Sequence, residues 1–182
     1  MRASLMLGVV SLITASAAGQ VNLNALMVAD DSFQASISTD PNTAGPVFLS
    51  GNGFFNTFSG SIALPAPGTY YLQVRAEDFG GQKMMSGLFT LDSALGTFGN
   101  ETQTLLTAVS TWTVSDTGFG AATVAPVVVP NGWGSHPGLE SAAYIWHPSL
   151  PSVAYFTAEI TVVPAPASLS LLGLFAFARQ RR

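Results

Sequence analysis

The feature that most constrains this fold is the alternation of apolar and polar residues in the middle of the chain. In "SFQASIS" (32–38) and "FSGSIAL" (58–64), larger apolar residues or glycine alternate with small or polar ones. "TYYLQVRAED" (69–78) continues the pattern, with an apolar set that is Tyr70, Leu72, Val74 and Ala76. Successive side chains of a strand point to opposite faces. The alternation therefore predicts β-strands with one buried face.

Turn signals divide these segments from one another. "PAPG" (65–68) and "DFGGQ" (78–82) predict turns, because paired glycines accept positive φ without steric cost. Further strands are predicted at Val21–Val28, Met84–Leu91, Thr111–Ser115, Ala143–Trp146 and Val153–Val163. "GNGFFN" (51–56) and "AATVAPVVVPNGWGSHPG" (121–138) are predicted to be long loops. No internal segment has the pattern of a capped amphipathic helix. We therefore expect an all-β fold, an antiparallel β-sandwich.

The first nineteen residues have the order of a secretory signal peptide. A positive Arg2 precedes an apolar run (5–13). The small residues that mark the cleavage region are Ala15, Ala17 and Ala18. Charge, apolar run and small residues in this order predict an N-terminal signal helix (1–19) that is removed after export.

The segment 164–182 is a second membrane-like stretch. Its apolar part, 165–178, has 14 residues, whereas a spanning helix needs about 20. It predicts a short hydrophobic helix that pauses in the bilayer while its terminal arginines stay on the cytoplasmic side. The alternative is an ordinary single-pass anchor with a short helix.

This segment resembles the PEP-CTERM sorting signal that exosortases read. The matching parts are Pro164, Ala165 and Pro166, then "ASLSLLGLFAFA", then an arginine cluster of Arg179, Arg181 and Arg182. Ala165 departs from the family, which has glutamate there. The resemblance implies cleavage by an exosortase-type enzyme in a cell that makes exopolysaccharide. The expected location is transiently the inner membrane, then the cell surface or extracellular matrix.

Between these termini lies a body, 20–163, of a length suited to one domain. It contains no cysteine, so its stability comes from packing rather than disulfides. Two basic residues and all ten acidic ones fall within it, for a net charge of −8. Such a surface repels phosphate backbones, which excludes nucleic acid as a partner.

The order of several motifs in the body resembles galactose-binding-like jelly rolls. "GTYYLQVRAEDFGGQKMMSGLF", "STWTVS" and "AAYIWHPSLPSVAYFTAEITV" are similar to consecutive strands of that family. The resemblance implies a β-sandwich of eight or nine strands. Members of that family often bind sugars through loops at one end and often hold a structural calcium ion, but neither property follows from the fold alone.

Catalytic motifs are lacking. There is no cysteine nucleophile, G-x-S-x-G elbow or phosphate-binding glycine loop. His136, Glu140 and His147 could supply two imidazoles and a carboxylate, but their spacing fits no zinc motif. We therefore expect no enzymatic activity. The alternative is a hydrolase with an unrecognised site.

The carboxylates beside predicted turns are candidates for a calcium site. Oxygen ligands are what calcium prefers, and the weak candidates are Asp30, Asp31, Glu77 and Asp78. Their commoner role is to form turns or to stay solvated. We therefore expect no cofactor, with structural calcium as the alternative.

Aromatic side chains are the remaining lead to function. Trp112 and Trp146 lie in strand patterns, so we expect them in the core, whereas Trp133 lies between glycines of a loop and suits an exposed glycan contact. The sequence thus favours an exported, non-enzymatic surface or matrix protein associated with polysaccharide in a biofilm. Its partners would be the export machinery, signal peptidase and an exosortase-type enzyme. The alternative is a carbohydrate-binding module that uses loop aromatics.

Overall fold

Twelve β-strands, and no helix, make up the regular structure of residues 19–132 and 134–166, which are those described by this computed structural model. The strands are β1 (Val21–Asp30), β2 (Ser32–Ser38), β3 (Val47–Asn52), β4 (Phe58–Leu64), β5 (Gly68–Glu77), β6 (Met84–Leu91), β7 (Gly96–Phe98), β8 (Thr104–Leu106), β9 (Thr113–Ser115), β10 (Val127–Val128), β11 (Ile145–Trp146) and β12 (Val153–Val162). The helices predicted at the two termini lie outside the described residues.

The strands form two sheets of six. Sheet A has the order β10-β11-β6-β1-β4, with β8 also paired to β6. Sheet B has the order β3-β2-β5-β12-β7, with β9 also paired to β12. Every pairing between these strands is antiparallel. The expected all-β, antiparallel architecture is confirmed, and its two layers are those of a β-sandwich.

The core lies between the two sheets and follows the alternation in the sequence. Trp146 of sheet A meets Phe156 of sheet B edge to face, with ring centroids 5.7 Å apart, and both rings are fully buried. Burial of a large apolar side chain stabilises the fold by roughly 1.5–3 kcal/mol. Among the described residues, the buried apolar ones lie between 21 and 162, within the compact unit Ala18–Pro164. This body therefore contains its own core.

The bounds of three predicted strands agree with the structure. The strands over 32–38, 58–64 and 84–91 form as expected. Gly80 and Gly81 have φ of 137° and 108°, which confirms the glycine turn. The prediction of long loops was wrong in two places, since β3 includes Gly51 and Asn52 and β10 lies within 121–138. β7, β8 and β10 are too short to show any period in the sequence, and the backbone of a neighbouring strand defines them.

One residue of β5 is buried although the alternation predicts that it is exposed. The pattern places Gln73 on the solvent side of β5, yet its side chain is buried. It does lie on the outer face of sheet B, but the segment after β2 folds back over it. The Gln73 amide donates to the carbonyl oxygens of Asp40 and Pro41. A sequence period cannot show that a distant loop covers a polar face.

Candidate functional site

A groove of about 530 Å³ opens on the outer face of sheet B. Its floor contains Tyr71 of β5 together with Thr157 and Glu159 of β12. One wall is the segment at Pro41 and Asn42, and the other sides contain residues of the segments 110–113 and 120–123. The groove therefore has a rigid sheet beneath it and loops at its sides.

Strand register brings the residues of the floor together. Tyr71 lies directly opposite Glu159, and Thr157 lies opposite both Gln73 and Thr113. Opposed residues in an antiparallel pair have Cβ atoms about 4.5–5.5 Å apart. In the described part of the chain, the side chains of Tyr71, Thr157 and Glu159 have no hydrogen-bond or ionic partner. A phenol, a hydroxyl and a carboxylate are thus available to a ligand within a short distance.

The wall beside the floor is held by a buried amide. Gln73 Nε2 donates to the carbonyl oxygens of Asp40 and Pro41 at 3.3 and 3.1 Å. The Asp40 carboxylate accepts the backbone N–H of Asn42 at 2.9 Å, and this bond lowers the pKa of Asp40 below its ordinary value of 3.8. The wall therefore keeps its position without a ligand.

Asn100, which with Glu101 and Thr102 forms an N-glycosylation sequon, also lines the groove. Its Nδ2 donates to the Thr104 carbonyl oxygen at 3.0 Å, and its Oδ1 accepts the backbone N–H of Thr102 at 3.2 Å. The amide that the sequon would modify is therefore already used in a local turn.

The calcium candidates gather at one end of the sandwich, where β1 passes into β2. Asp31 lies between those strands, and its backbone N–H donates to the carbonyl oxygen of Glu77 at 2.7 Å. Asp78 follows directly, and Asp30 is buried at the end of β1. The structure thus brings the four residues to the same region.

Protein groups already bind three of these carboxylates. The pairs are Asp31 Oδ2 with the Phe79 N–H at 2.6 Å, Glu77 Oε2 with the Arg75 guanidinium at 2.8 Å, and Asp78 with Lys83. Among residues 19–132 and 134–166, no three His, Cys, Asp or Glu residues are arranged to hold a metal ion. The observed contacts stabilise the turns, and structural calcium stays the alternative to the predicted absence of a cofactor.

Exposed phenylalanines lie at this same end. Phe55 is 80% exposed, and its ring packs against that of Phe54 at an angle of 41°, with centroids 4.2 Å apart. Phe79 is 70% exposed. The loop of Phe55 adjoins the acidic turn, since the Gly53 N–H donates to the Asp31 carbonyl oxygen at 2.6 Å. Loop aromatics therefore do occur here, but as phenylalanines that the sequence analysis did not select.

His136, Glu140 and His147, which were considered as metal ligands, have separate roles. The ring of His136 is buried and contacts the Tyr144 hydroxyl at 2.8 Å and the Phe54 carbonyl oxygen at 2.6 Å. Glu140 accepts the Gly138 N–H at 3.0 Å, and His147 Nδ1 accepts the Ser149 N–H at 3.1 Å. These contacts are structural.

Tyr144 binds the loop of His136 at a second point, Gly134. Its hydroxyl donates to the Gly134 carbonyl oxygen at 2.5 Å, and burial raises the pKa of this phenol above 10.0. The core positions expected for Trp112 and Trp146 are confirmed by exposures of 3% and 0%. Trp133, the expected glycan contact, lies outside the described residues.

The terminal predictions fall mostly outside the described part as well. The cleavage-region residues Ala15, Ala17 and Ala18, and the arginines Arg179, Arg181 and Arg182, are not among the described residues. Of the sorting motif, Pro164 and Pro166 are exposed and Ala165 is half-buried. None of the described residues form a helix with the length and apolarity needed to cross a membrane.

The groove itself was missed in the sequence analysis. The alternation did place Tyr71 on the polar face of its strand, which was the available signal. However, Glu159 lies 88 positions away and becomes its neighbour only through the register of β5 with β12. No protein family, curated protein or solved structure compared with this chain matches it.

Proposed function

We propose that this chain is an exported, non-enzymatic protein of the cell surface or extracellular matrix. It is delivered by the N-terminal signal, held briefly in the inner membrane by the segment 164–182, and cut there by an exosortase-type enzyme. The mature body then associates with extracellular polysaccharide in a biofilm. A jelly roll of the galactose-binding type is the finer fold that belongs to this proposal.

The observation that carries this proposal is where the compact body ends. β12 keeps its pairing with β5 up to Val162, opposite Gly68, and the Val163 N–H donates to the Leu95 carbonyl oxygen at 2.8 Å. Pro164, which has no N–H, follows immediately and is exposed. Cleavage at the Pro-Ala-Pro motif would therefore leave every strand of the sandwich intact.

Intact-mass measurement of the protein recovered from the cell surface tests this proposal. We expect a product that begins between residues 18 and 20 and ends near Pro164, because both terminal segments are removed. Replacing Arg179, Arg181 and Arg182 by glutamine should leave the C-terminal segment uncut. Replacing the exposed body residue Gln103 by alanine serves as a control, and this variant should be processed normally. A surface product that still ends in "RQRR" contradicts the proposal.

A carbohydrate-binding module is the second candidate function. It is favoured by the groove on sheet B, whose floor presents an aromatic ring next to hydroxyl and carboxylate oxygens. Ligand sites combine apolar surface with a few polar groups in fixed positions, and this groove has that composition.

A further inference from the structure

We propose that the groove over Tyr71, Thr157 and Glu159 binds a segment of an uncharged polysaccharide. This inference rests on the proposed association with polysaccharide and specifies its site and ligand class. It places the contact on the face of sheet B, whereas the sequence favoured the loop that contains Trp133.

The chemistry of the floor suits a polyol. A sugar ring offers several hydroxyl groups, each of which both donates and accepts, next to an apolar C–H face. Glu159 accepts such donors, and the hydroxyls of Thr157 and Tyr71 can do both. The Tyr71 ring, directly opposite Glu159, adds a flat apolar surface. These groups make no competing hydrogen bond or ion pair with any other residue of 19–132 and 134–166.

The charge of the groove excludes acidic polymers. Of the described residues that line it, Glu159 alone is charged, and none is a lysine or arginine. The body as a whole carries −8, so a uronate chain is repelled both at the groove and at longer range. An uncharged polymer meets neither form of repulsion.

The groove is also built before any ligand arrives. The buried Gln73 amide holds the wall at Asp40 and Pro41, and sheet pairing holds the floor. A site that is already ordered loses little conformational entropy on binding. A shallow groove in such a rigid face can therefore retain a flexible polymer.

Affinity electrophoresis of the body 20–163, which contains its own core, tests the inference. The probes are hydroxyethyl cellulose and dextran as uncharged polymers and polygalacturonate as the acidic one. We expect an uncharged polymer to retard the protein and polygalacturonate to have no effect. Tyr71→Ala should weaken retention about tenfold, because ring and hydroxyl contacts are lost together. Phe55→Ala, which removes an exposed aromatic outside the groove, should leave retention unchanged.

Glu159→Gln provides a readout that a change in folding would not move. The amide keeps an accepting oxygen but removes the charge at the groove. At about 0.15 M salt, where repulsion from the rest of the body is screened beyond about 8 Å, we therefore expect polygalacturonate to retard this variant measurably but not the wild type. Normal retention of Tyr71→Ala, or wild-type binding of polygalacturonate as tight as that of the uncharged polymers, would overturn the inference.

Failure of this inference differs from failure of the proposed function. Loss of retention in Trp133→Ala with normal Tyr71→Ala would overturn the groove while leaving a glycan-binding function in place. No retention of the wild-type protein by either uncharged polymer would also overturn the inference, whereas export and processing are judged separately by the mass of the surface product.

Discussion

At the scale of single residues, the clearest source of stability is a buried cluster of hydrogen bonds around Tyr144. The Tyr144 hydroxyl contacts the His136 ring at 2.8 Å and donates to the Gly134 carbonyl oxygen at 2.5 Å. The His136 ring also contacts the Phe54 carbonyl oxygen. Tyr144 thus holds the loop of Gly134 and His136, and the His136 ring connects this loop to the one that contains Phe54. A polar group left buried without its partner costs more than the bond itself contributes.

Tyr144→Phe should therefore lower the free energy of unfolding by about 1–3 kcal/mol. The change removes only the hydroxyl, so the ring packing against His136 is kept and the loss reports the hydrogen bonds. Urea unfolding followed by tryptophan fluorescence measures it. Tyr71→Phe is the matched control, because its hydroxyl has no partner in the described ranges, and we expect no change. Equal stability of Tyr144→Phe and the wild type would show that the cluster does not stabilise the fold.

At the scale of elements, β6 packs so closely against its neighbours that one of its positions has no room for a side chain. Gly87 lies in the middle of β6, opposite Met27 of β1. A Cβ atom at this position would come within 2.7 Å of the Phe89 ring and 3.2 Å of Met27 Cβ. The Gly87 backbone also exchanges hydrogen bonds with Thr107, so it cannot easily move away.

Gly87→Ala should therefore destabilise the protein by about 1–3 kcal/mol through overpacking. Thermal or urea unfolding measures the loss. Gly99→Ala is a suitable control, since the nearest atoms to its added Cβ belong to Glu159 at 4.0 Å and its change should stay within about 0.5 kcal/mol. If both variants unfold alike, β6 has more room than its contacts indicate.

Charge acts at the scale of the whole molecule. The body carries −8, and both of its basic side chains already pair with carboxylates, as Arg75 with Glu77 and Lys83 with Asp78. The remaining acidic residues have no basic residue of the body to balance them. Uncompensated like charge destabilises the compact state by self-repulsion.

Sodium chloride should therefore stabilise the body against urea. Between about 0.01 M and about 0.15 M salt the screening length falls from about 30 Å to about 8 Å, so we expect the urea midpoint to rise. Glu101→Gln combined with Asp116→Asn reduces the net charge at two exposed positions and should shrink this rise. A midpoint that falls with salt would mean that the two ion pairs outweigh the repulsion.

Much of the fold could be predicted from the sequence because its cause is local. The period of two in 32–38, 58–64 and 69–78 places one side chain in the core for each one outside, and the glycines at 80 and 81 permit a turn that other residues resist. The acidic balance of the body follows from composition alone. These properties require no knowledge of which strand lies beside which.

The candidate site could not be predicted because its cause is the pairing of distant strands. Tyr71 and Glu159 are adjacent only because β5 pairs with β12, and Gln73 is buried only because the segment at Asp40 folds over it. Short strands such as β10 likewise depend on a partner's backbone. Local pattern and composition were enough to predict the layers, the turns and the charge. The groove depends on strand register and on a loop that covers a distant strand, and neither can be read from local sequence.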